Sequence, residues 1–536
     1  MKFFKERIGK YYILLSVIFS LLFLNGLLSS VRSVKENAKP YIYCSYFGGS
    51  EKDIITGMAI DSAGNVIIVG GTFSTDLVLL NGFQLEYGGG SSENTHENGG
   101  DGFVIKFSPS GDIIWGTYLG GNDLDSCNNV IIDSEDNILV IGKTASENFP
   151  TTDNALKKEF SGITDGFISK FISNGSLVYS TYIGEHGAED LVDLIEDKSG
   201  NILIVGATGS SNFTTTLNAP QRTFGGGVFD TIILKLSHNC SDILLSTFLG
   251  GSKGDGGYNI ALDNESNLIV TGYTLSDDFP LKNALQNEIL GDQRDIYITK
   301  YNSTGQIIFS TYLGGSSFED PFGLTVNTSG NIIISGRTAS QDYPTEKGLQ
   351  NNYAGGVDAF ISILSPDGQT LEYSTFLGGN GWDTLHQVSV NSSNSIFTCG
   401  IGSGYPTKNA FQENIIGGSD IVIMGFSPKK QVEFSTYFGG TGDECPYSMN
   451  YYNDTLYIVG FTDSESLFIS DHAIQDNYSG NTDGFILMID IQSYLASVSS
   501  SQIFNLGMML TILIPISLVM VIGTVILIYK YRMRFH

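Results

Sequence analysis

Positive charge is scarce in this chain of 536 residues: 28 Lys and Arg stand against 56 Asp and Glu, a formal net charge of −28. That balance excludes a nucleic-acid partner, because a phosphate backbone needs Lys and Arg to replace its counterions. Proline is scarce too, at 12, and the five cysteines (Cys44, Cys127, Cys240, Cys399 and Cys445) lie far apart with no CxxC spacing. An odd, scattered set cannot complete a disulfide framework, and these cysteines read as small buried apolar residues. No HExxH, P-loop or EF-hand string occurs, and Asp123-Leu124-Asp125-Ser126-Cys127 stops short of the last. His96, His186, His238, His386 and His472 are spread along the chain without ligand spacing. Gly250-Gly251-Ser252-Lys253-Gly254 matches GxSxG, but a nucleophile elbow needs a strand-to-helix turn, and this string sits in a repeated strand-to-strand turn. No catalytic residue and no cofactor is expected.

What the chain does have is glycine, aromatics and repetition. Hydrophobic residues make up 41% and aromatics 12%, enough for a packed core; 65 glycines without many prolines suit short strands joined by tight turns. The phrase Tyr46-Phe47-Gly48-Gly49 recurs as Tyr118-Leu119-Gly120-Gly121, Tyr182-Ile183-Gly184-Glu185, Phe248-Leu249-Gly250-Gly251, Tyr312-Leu313-Gly314-Gly315, Phe376-Leu377-Gly378-Gly379 and Tyr437-Phe438-Gly439-Gly440. The seven copies are 72, 64, 66, 64, 64 and 61 residues apart, the first interval lengthened by a Gly/Ser/Asn/Glu-rich insertion from Gly88 to Gly100.

Each repeat predicts four strands. In the second they are residues 130–133, then 138–142 beyond the turn Ser134-Glu135-Asp136-Asn137, then 165–171 after a long loop, then 177–183 beyond Ser173-Asn174-Gly175. Near-continuous apolar runs such as Ile202-Leu203-Ile204-Val205 mean that both faces of each sheet are covered. The repeats open at Tyr41–Phe47 with a lone fourth strand and close at Asp483–Ile491 with a lone third strand. Only pairing of the two completes seven sheets, and that pairing closes a ring and removes exposed edges. The expected fold is all-β: a closed seven-bladed β-propeller of four-stranded blades over residues 41–491, monomeric.

The ends differ in kind. Residues 1–33 carry Lys2, Lys5, Arg7 and Lys10 before an apolar run from Tyr11 to Leu28, and read as a signal peptide or an uncleaved signal anchor. Residues 492–502 form a linker, with a reach of about 36–40 Å when extended. Residues 503–529 are apolar without a charge and predict a transmembrane helix; Lys530, Arg532 and Arg534 make residues 530–536 a cytoplasmic tail. The propeller is then extracellular on a single-pass membrane protein, or a two-pass one if the N-terminal segment stays. Strand direction brings both ends to the short-turn face, so the long loops point outward.

Ser310-Thr311-Tyr312-Leu313-Gly314-Gly315, Asp61-Ser62-Ala63-Gly64-Asn65, Asp278-Phe279-Pro280, Asn283-Ala284-Leu285-Gln286 and Asp165-Gly166-Phe167-Ile168 together resemble the SBBP, or β-propeller, repeat family over roughly residues 41–491. The resemblance implies a seven-bladed propeller found on prokaryotic surface proteins and implies no activity. The third repeat departs with Glu185 for the second Gly and Phe213-Thr214 for Phe-Pro; the sixth lacks the Asp-x-x-Gly-Asn turn.

One constellation is regular enough to be a site. Four residues after the second position of each Gly-Gly stands an acid: Asp53, Asp125, Glu189, Asp255, Glu319, Asp383 and Glu444. They read either as caps of their own turns or as a ring that binds a basic ligand or a cation, calcium being the metal such carboxylates would take. Trp382 stands alone among the seven turns and reads as a ligand contact or as packing. Nine Asn-x-Ser/Thr tripeptides (Asn174, Asn212, Asn239, Asn264, Asn302, Asn327, Asn391, Asn453 and Asn477) are candidate glycan acceptors. Alike loops and absent motifs favour a non-enzymatic, membrane-anchored surface module that binds an extracellular protein, glycan or cation. A structural envelope spacer is the alternative, and a propeller-type hydrolase, lyase or quinone-dependent enzyme stands behind it.

Overall fold

The computed structural model describes residues 42–90 and 100–498. They form seven antiparallel sheets of four strands each. Blade 1 runs from its inner strand outward as Asp53–Ile60, Val66–Thr72, Asp101–Phe107 and Ile113–Leu119, and blades 2 to 6 repeat that order. Blade 7 takes Glu444–Tyr452, Thr455–Thr462 and Asp483–Asp490 from the end of the chain and Ile42–Phe47 from its start. This closure is well bonded: the Tyr46 hydroxyl donates to the Ser464 carbonyl at 2.7 Å, and the Gly48 amide donates to Gln475 Oε1 at 2.9 Å.

The local sequence accounts for these elements. In the inner hairpin of blade 1, Asp61 Oδ1 accepts the Ala63 and Asn65 amides while Gly64 takes a φ of 82°. Blade 6 keeps the same turn without the aspartate, since Asn391 Oδ1 accepts the Ser393 and Ser395 amides and Asn394 supplies the positive φ of 64°. In blades 1 to 4 a third-strand lysine ties this turn down, as Lys106–Asp61, Lys170–Asp133, Lys235–Asp197 and Lys300–Asp263, each at 2.8 Å. The aromatic of each Gly-Gly phrase is buried, and the Tyr118, Tyr182 and Tyr312 hydroxyls donate to the carbonyls of Ser74, Ser146 and Ser276. Burying such a ring while satisfying its hydroxyl locks each outer strand to the long loop of its own blade.

The third and fourth strands of the second repeat fall where the pattern puts them, at Asp165–Phe171 and Leu177–Ile183. The inner strand is longer than expected, running Asp125–Ile132. Its register shifts between Cys127 and Asn129, and that bulge breaks the alternation by which the strand would have been read.

Among the described residues no helix is long and apolar enough to cross a membrane. The expected N-terminal segment (1–33) and transmembrane helix (503–529) lie outside them. The expected linker begins as structure: residues 491–498 are helical, Asp490 accepts the Ser493 amide at its start, and Tyr494 is buried against Phe411 and Phe434. A docked aromatic holds this stretch to the propeller, so it is not free tether.

Candidate functional site

The seven acids lie inside the blade junctions rather than in an open ring. Each is buried, and each accepts the backbone amide at the second position of its own Gly-Gly: Gly49 to Asp53 at 2.6 Å, Gly121 to Asp125 at 2.6 Å, Glu185 to Glu189 at 2.9 Å, Gly251 to Asp255 at 2.7 Å, Gly315 to Glu319 at 3.2 Å, Gly379 to Asp383 at 2.8 Å and Gly440 to Glu444 at 2.9 Å. A Cβ on Gly121 or Gly251 would come within 2.6 Å of the long-loop Ser146 or Ser276, whereas the third blade accommodates Glu185 and still supplies the capping amide. Hydroxyls add to the cap, as Ser146 does to Asp125 at 2.8 Å. The proposed ligand ring is therefore closed to a ligand on the face, and the turn-capping role is the one the geometry supplies.

Sequence reasoning missed the partner of each acid. The aspartate that opens the third strand of the preceding blade faces it across the first Gly of the pair. A Cβ on Gly120 would lie 2.7 Å from Asp101 Oδ1 and 2.8 Å from Asp125 Oδ2; on Gly250 it would meet Asp230 and Asp255 at the same distances. The glutamine of the Ala-Leu-Gln phrase bridges this junction: Gln286 Nε2 donates to Asp295 at 3.0 Å, while its Oε1 accepts the Gly314 amide at 3.0 Å. Thus Gly-Gly, the acid, Asp-Gly and Ala-Leu-Gln are four parts of one junction. Burial, with the facing carboxylate adding to it, pushes Asp101 and Asp230 up to about 7 and Asp295 to about 8. Burial likewise raises Asp53 and Asp125 to about 7, Glu319 to about 7, and Asp255 and Asp383 to about 6. Oδ1 of Asp101, Asp165, Asp230, Asp295 and Asp358 has no hydrogen-bond partner.

The channel is different. Every inner strand bulges between the second and fourth residues after its acid. The bulged residue, third after the acid, lines the central cavity of 590 Å³ in all seven blades: Thr56, Asn128, Val192, Tyr258, Phe322, His386 and Tyr447. No two neighbours match. On the polar side Asn128 donates to Asp190 at 2.5 Å and Asn129 to Asp193 at 2.8 Å. Burial lifts Asp193 to about 7 against three hydrogen bonds that pull it down. On the aromatic side Tyr258 stacks on Phe322 at 6.0 Å, and His386 stacks on Tyr447 at 6.4 Å. His386 Nδ1 meets the Pro446 carbonyl at 2.6 Å, and burial depresses its imidazole to about 4, so it is neutral near pH 7.

At the long-loop mouth of this aromatic side lies an ionic knot that the repeat does not foreshadow. Asp320, 1% exposed, takes Arg294 Nε at 2.5 Å and Nη2 at 2.8 Å, and also Arg337 Nη2 at 2.7 Å. The Arg337 guanidinium lies over Phe322 at 5.1 Å, Trp382 at 5.2 Å and Phe318 at 5.7 Å. Trp382 is 55% exposed, so one part of its ring packs on the knot and the rest faces solvent. Among the described residues no group of three or more His, Cys, Asp or Glu could hold a metal ion. The cysteines are unpaired, four buried and Cys445 half-buried. Of the candidate glycan acceptors, Asn327 is buried at 5% exposure with its side chain capping a turn, which leaves no room for a glycan there.

Blades, junctions and closure define a seven-bladed β-propeller. Residues 114–150 match the family model described as a beta-propeller repeat, SBBP, and the protein is a seven-bladed propeller that carries this repeat. An uncharacterized WD repeat-containing protein of Acanthamoeba polyphaga mimivirus is 22% identical over 190 residues, which are 32% of this chain and 14% of that protein. Solved structures with a similar fold include the polysaccharide lyase Uly1, 8% identical over 84% of this chain and 98% of that one with a TM-score of 0.43. They also include an ulvanlyase of a new polysaccharide lyase family, 10% identical over 78% and 92%, TM-score 0.42. A gluconolactonase from Xanthomonas campestris is 11% identical over 67% and 85%, TM-score 0.31. Likeness at this level carries no argument about activity.

Proposed function

We propose that the protein is a non-enzymatic binding propeller that takes its ligand at the long-loop mouth of the channel. One observation carries this reading: the repeat is kept at all seven junctions and abandoned in the lining of a 590 Å³ channel cavity, and the half-exposed Trp382 packs on Arg337, which also covers the channel-lining Phe322. In this reading the long-loop face points away from the membrane that residues 503–529 would enter, and the junction acids serve the scaffold.

An enzyme is the second reading, favoured by the channel-lining His386. Its low pKa suits a base only in acid, and no carboxylate is seen to orient it. The nearby phenols offer little: burial pushes Tyr447 up to about 12 and Tyr258 higher still, so both stay protonated. Binding chemistry needs none of these groups to move a proton. The test is a glycan and protein array probed with the purified full chain. Hits that vanish with Trp382→Ala and persist with Ser110→Ala, on the opposite face, are expected. An empty array, or hits indifferent to Trp382→Ala, would end this reading.

A further inference from the structure

The mouth over blades 4 to 6 combines three features that select among ligands. The first is charge. Two guanidinium groups share one carboxylate, Asp320, leaving a local excess of one positive charge in a chain of net charge −28. Asp320 occupies Nε and Nη2 of Arg294 and the same edge of Arg337, and neither Nη1 has a partner among the described residues. A guanidinium edge with free donors is a site for an oxyanion. Arg294 is 36% exposed along its side chain.

The second feature is rigidity. Arg294 lies over Tyr273 at 5.6 Å and Phe318 at 5.3 Å, and Arg337 is enclosed by three rings, so both cations are set before a ligand arrives. Rings of this kind limit the ordering cost of binding. The third feature is an open aromatic face, Trp382, joined through Arg337 to Phe322 of a channel whose lining includes amides and a hydroxyl, Asn128, Gln387 and Ser448. A flat apolar face beside many small donors and acceptors suits a molecule with C–H faces and rim hydroxyls, which is a sugar ring.

We propose that this mouth binds an anionic saccharide, carboxylated or sulfated. Arg294 and Arg337 take the oxyanion, Trp382 stacks on the ring, and the channel amides meet the hydroxyls. This deepens the binding reading above and rests on it. The anion must come from the ligand, because the knot has already used its own carboxylate. An acidic peptide would satisfy the arginines but would leave the stacking face and the amide lining without a role.

The experiment is titration calorimetry of the full chain with four probes at low and high salt: polygalacturonate oligomers, a sulfated dextran oligomer, maltohexaose and a Glu-rich peptide. Binding of one or both anionic saccharides, at least tenfold tighter than maltohexaose and the peptide and weakened by salt, is expected. Trp382→Ala should weaken it at least tenfold, and so should Arg294→Gln. Arg294 is the variant of choice because Arg337 still pairs with Asp320, and an unchanged melting temperature checks the fold. If polygalacturonate binds better than sulfated dextran, the ligand is a uronate; the reverse makes it a sulfate ester. Equal or tighter binding of maltohexaose, or of the peptide, would overturn the assignment. So would anionic binding that survives Arg294→Gln. If all four probes fail while the array gives hits lost with Trp382→Ala, the saccharide class falls and the binding reading stands. Failure of both sinks the two together.

Discussion

Seven junctions and seven channel positions belong to the same inner strands, three residues apart, and they obey opposite rules. At the junction every blade offers an acid, an amide that caps it and a facing aspartate. In the channel the seven positions hold six residue types, from Val192 to His386. A junction has the same neighbours in every blade, so one solution serves all and any departure costs buried hydrogen bonds. The bulge takes the next side chain out of that environment and turns it toward the axis, where its neighbours differ from blade to blade. Uniformity therefore marks the scaffold, and of the two readings the acids allow, turn caps or a ligand ring, the regular spacing belongs to the first.

The sharpest way to break this contrast is at the closure, where the scaffold depends on one strand. Deleting residues 42–47 removes the outer strand of blade 7 with the buried Tyr46 and Phe47. Two buried aromatics and a strand of paired backbone are worth well over about 5 kcal/mol, of the order of a whole domain's net stability. Loss of the cooperative calorimetric transition is the expected result. Deleting residues 91–99 from the Gly/Ser-rich insertion should leave that transition within about 2 °C of the parent, since closure entropy changes only slowly with the length of a connection. A truncated chain that melts like the intact one would mean the ring is not held by this pairing.

The contrast also explains what the sequence could and could not reveal. The blade count, the third and fourth strands and the need for closure were legible because they recur, and recurrence is visible in a single chain. The role of the acids was half legible: their spacing was plain, but their aspartate partners come from the third strand of the preceding blade, some 24 residues back in sequence. The channel was hidden because its residues have nothing in common except position. A signal existed, in that aligning the repeats on the acid isolates the third residue after it as the varied column. The knot of Arg294, Asp320 and Arg337 joins two blades through three different strand ends, and no spacing in the chain announces that.

An intermediate effect should come from protons. Asp101 and Asp230 are buried opposite another carboxylate and rise to about 7, whereas an unfolded aspartate titrates near 4. A pKa raised on folding means that the folded state holds protons the unfolded state has released between those values. The stability these groups contribute is complete below about pH 4 and is lost as pH rises through about 7. The melting temperature should therefore fall by several degrees between pH 5 and pH 8. Asp101→Asn with Asp230→Asn should flatten that fall and raise the value at pH 8, because the amide keeps a donor without a charge. Millimolar calcium at pH 8 distinguishes a cation from a proton: a rise abolished by the same pair of substitutions would return a metal to the junctions. A melting temperature that is flat or climbs across this range would refute the paired-acid account.

The smallest effect tests the scaffold where it is imperfect. The outer strands of the six other blades place a large aromatic at one position, Tyr43, Trp115, Tyr179, Phe309, Tyr373 and Phe434, and blade 3 has Leu245 there. Trp115 and Phe309 pack on the turn glycines Gly175 and Gly368 of the next blade, while Leu245 stops 3.7 Å from the Cβ position on Gly305. A cavity of 160 Å³ opens beside it, lined by Leu245, Leu268 and Tyr301. Filling part of it with Leu245→Phe should stabilise the chain by about 1 kcal/mol, a shift of about 1–2 °C in a protein this size. The converse, Phe309→Leu, should cost about 1–2 kcal/mol by opening the same gap between blades 4 and 5. Neither change lies near the channel mouth, so neither should alter binding measured with Trp382 intact. If Leu245→Phe destabilises the chain, the gap is fitted to something other than a missing ring, and the rule that sameness marks scaffold fails at this blade.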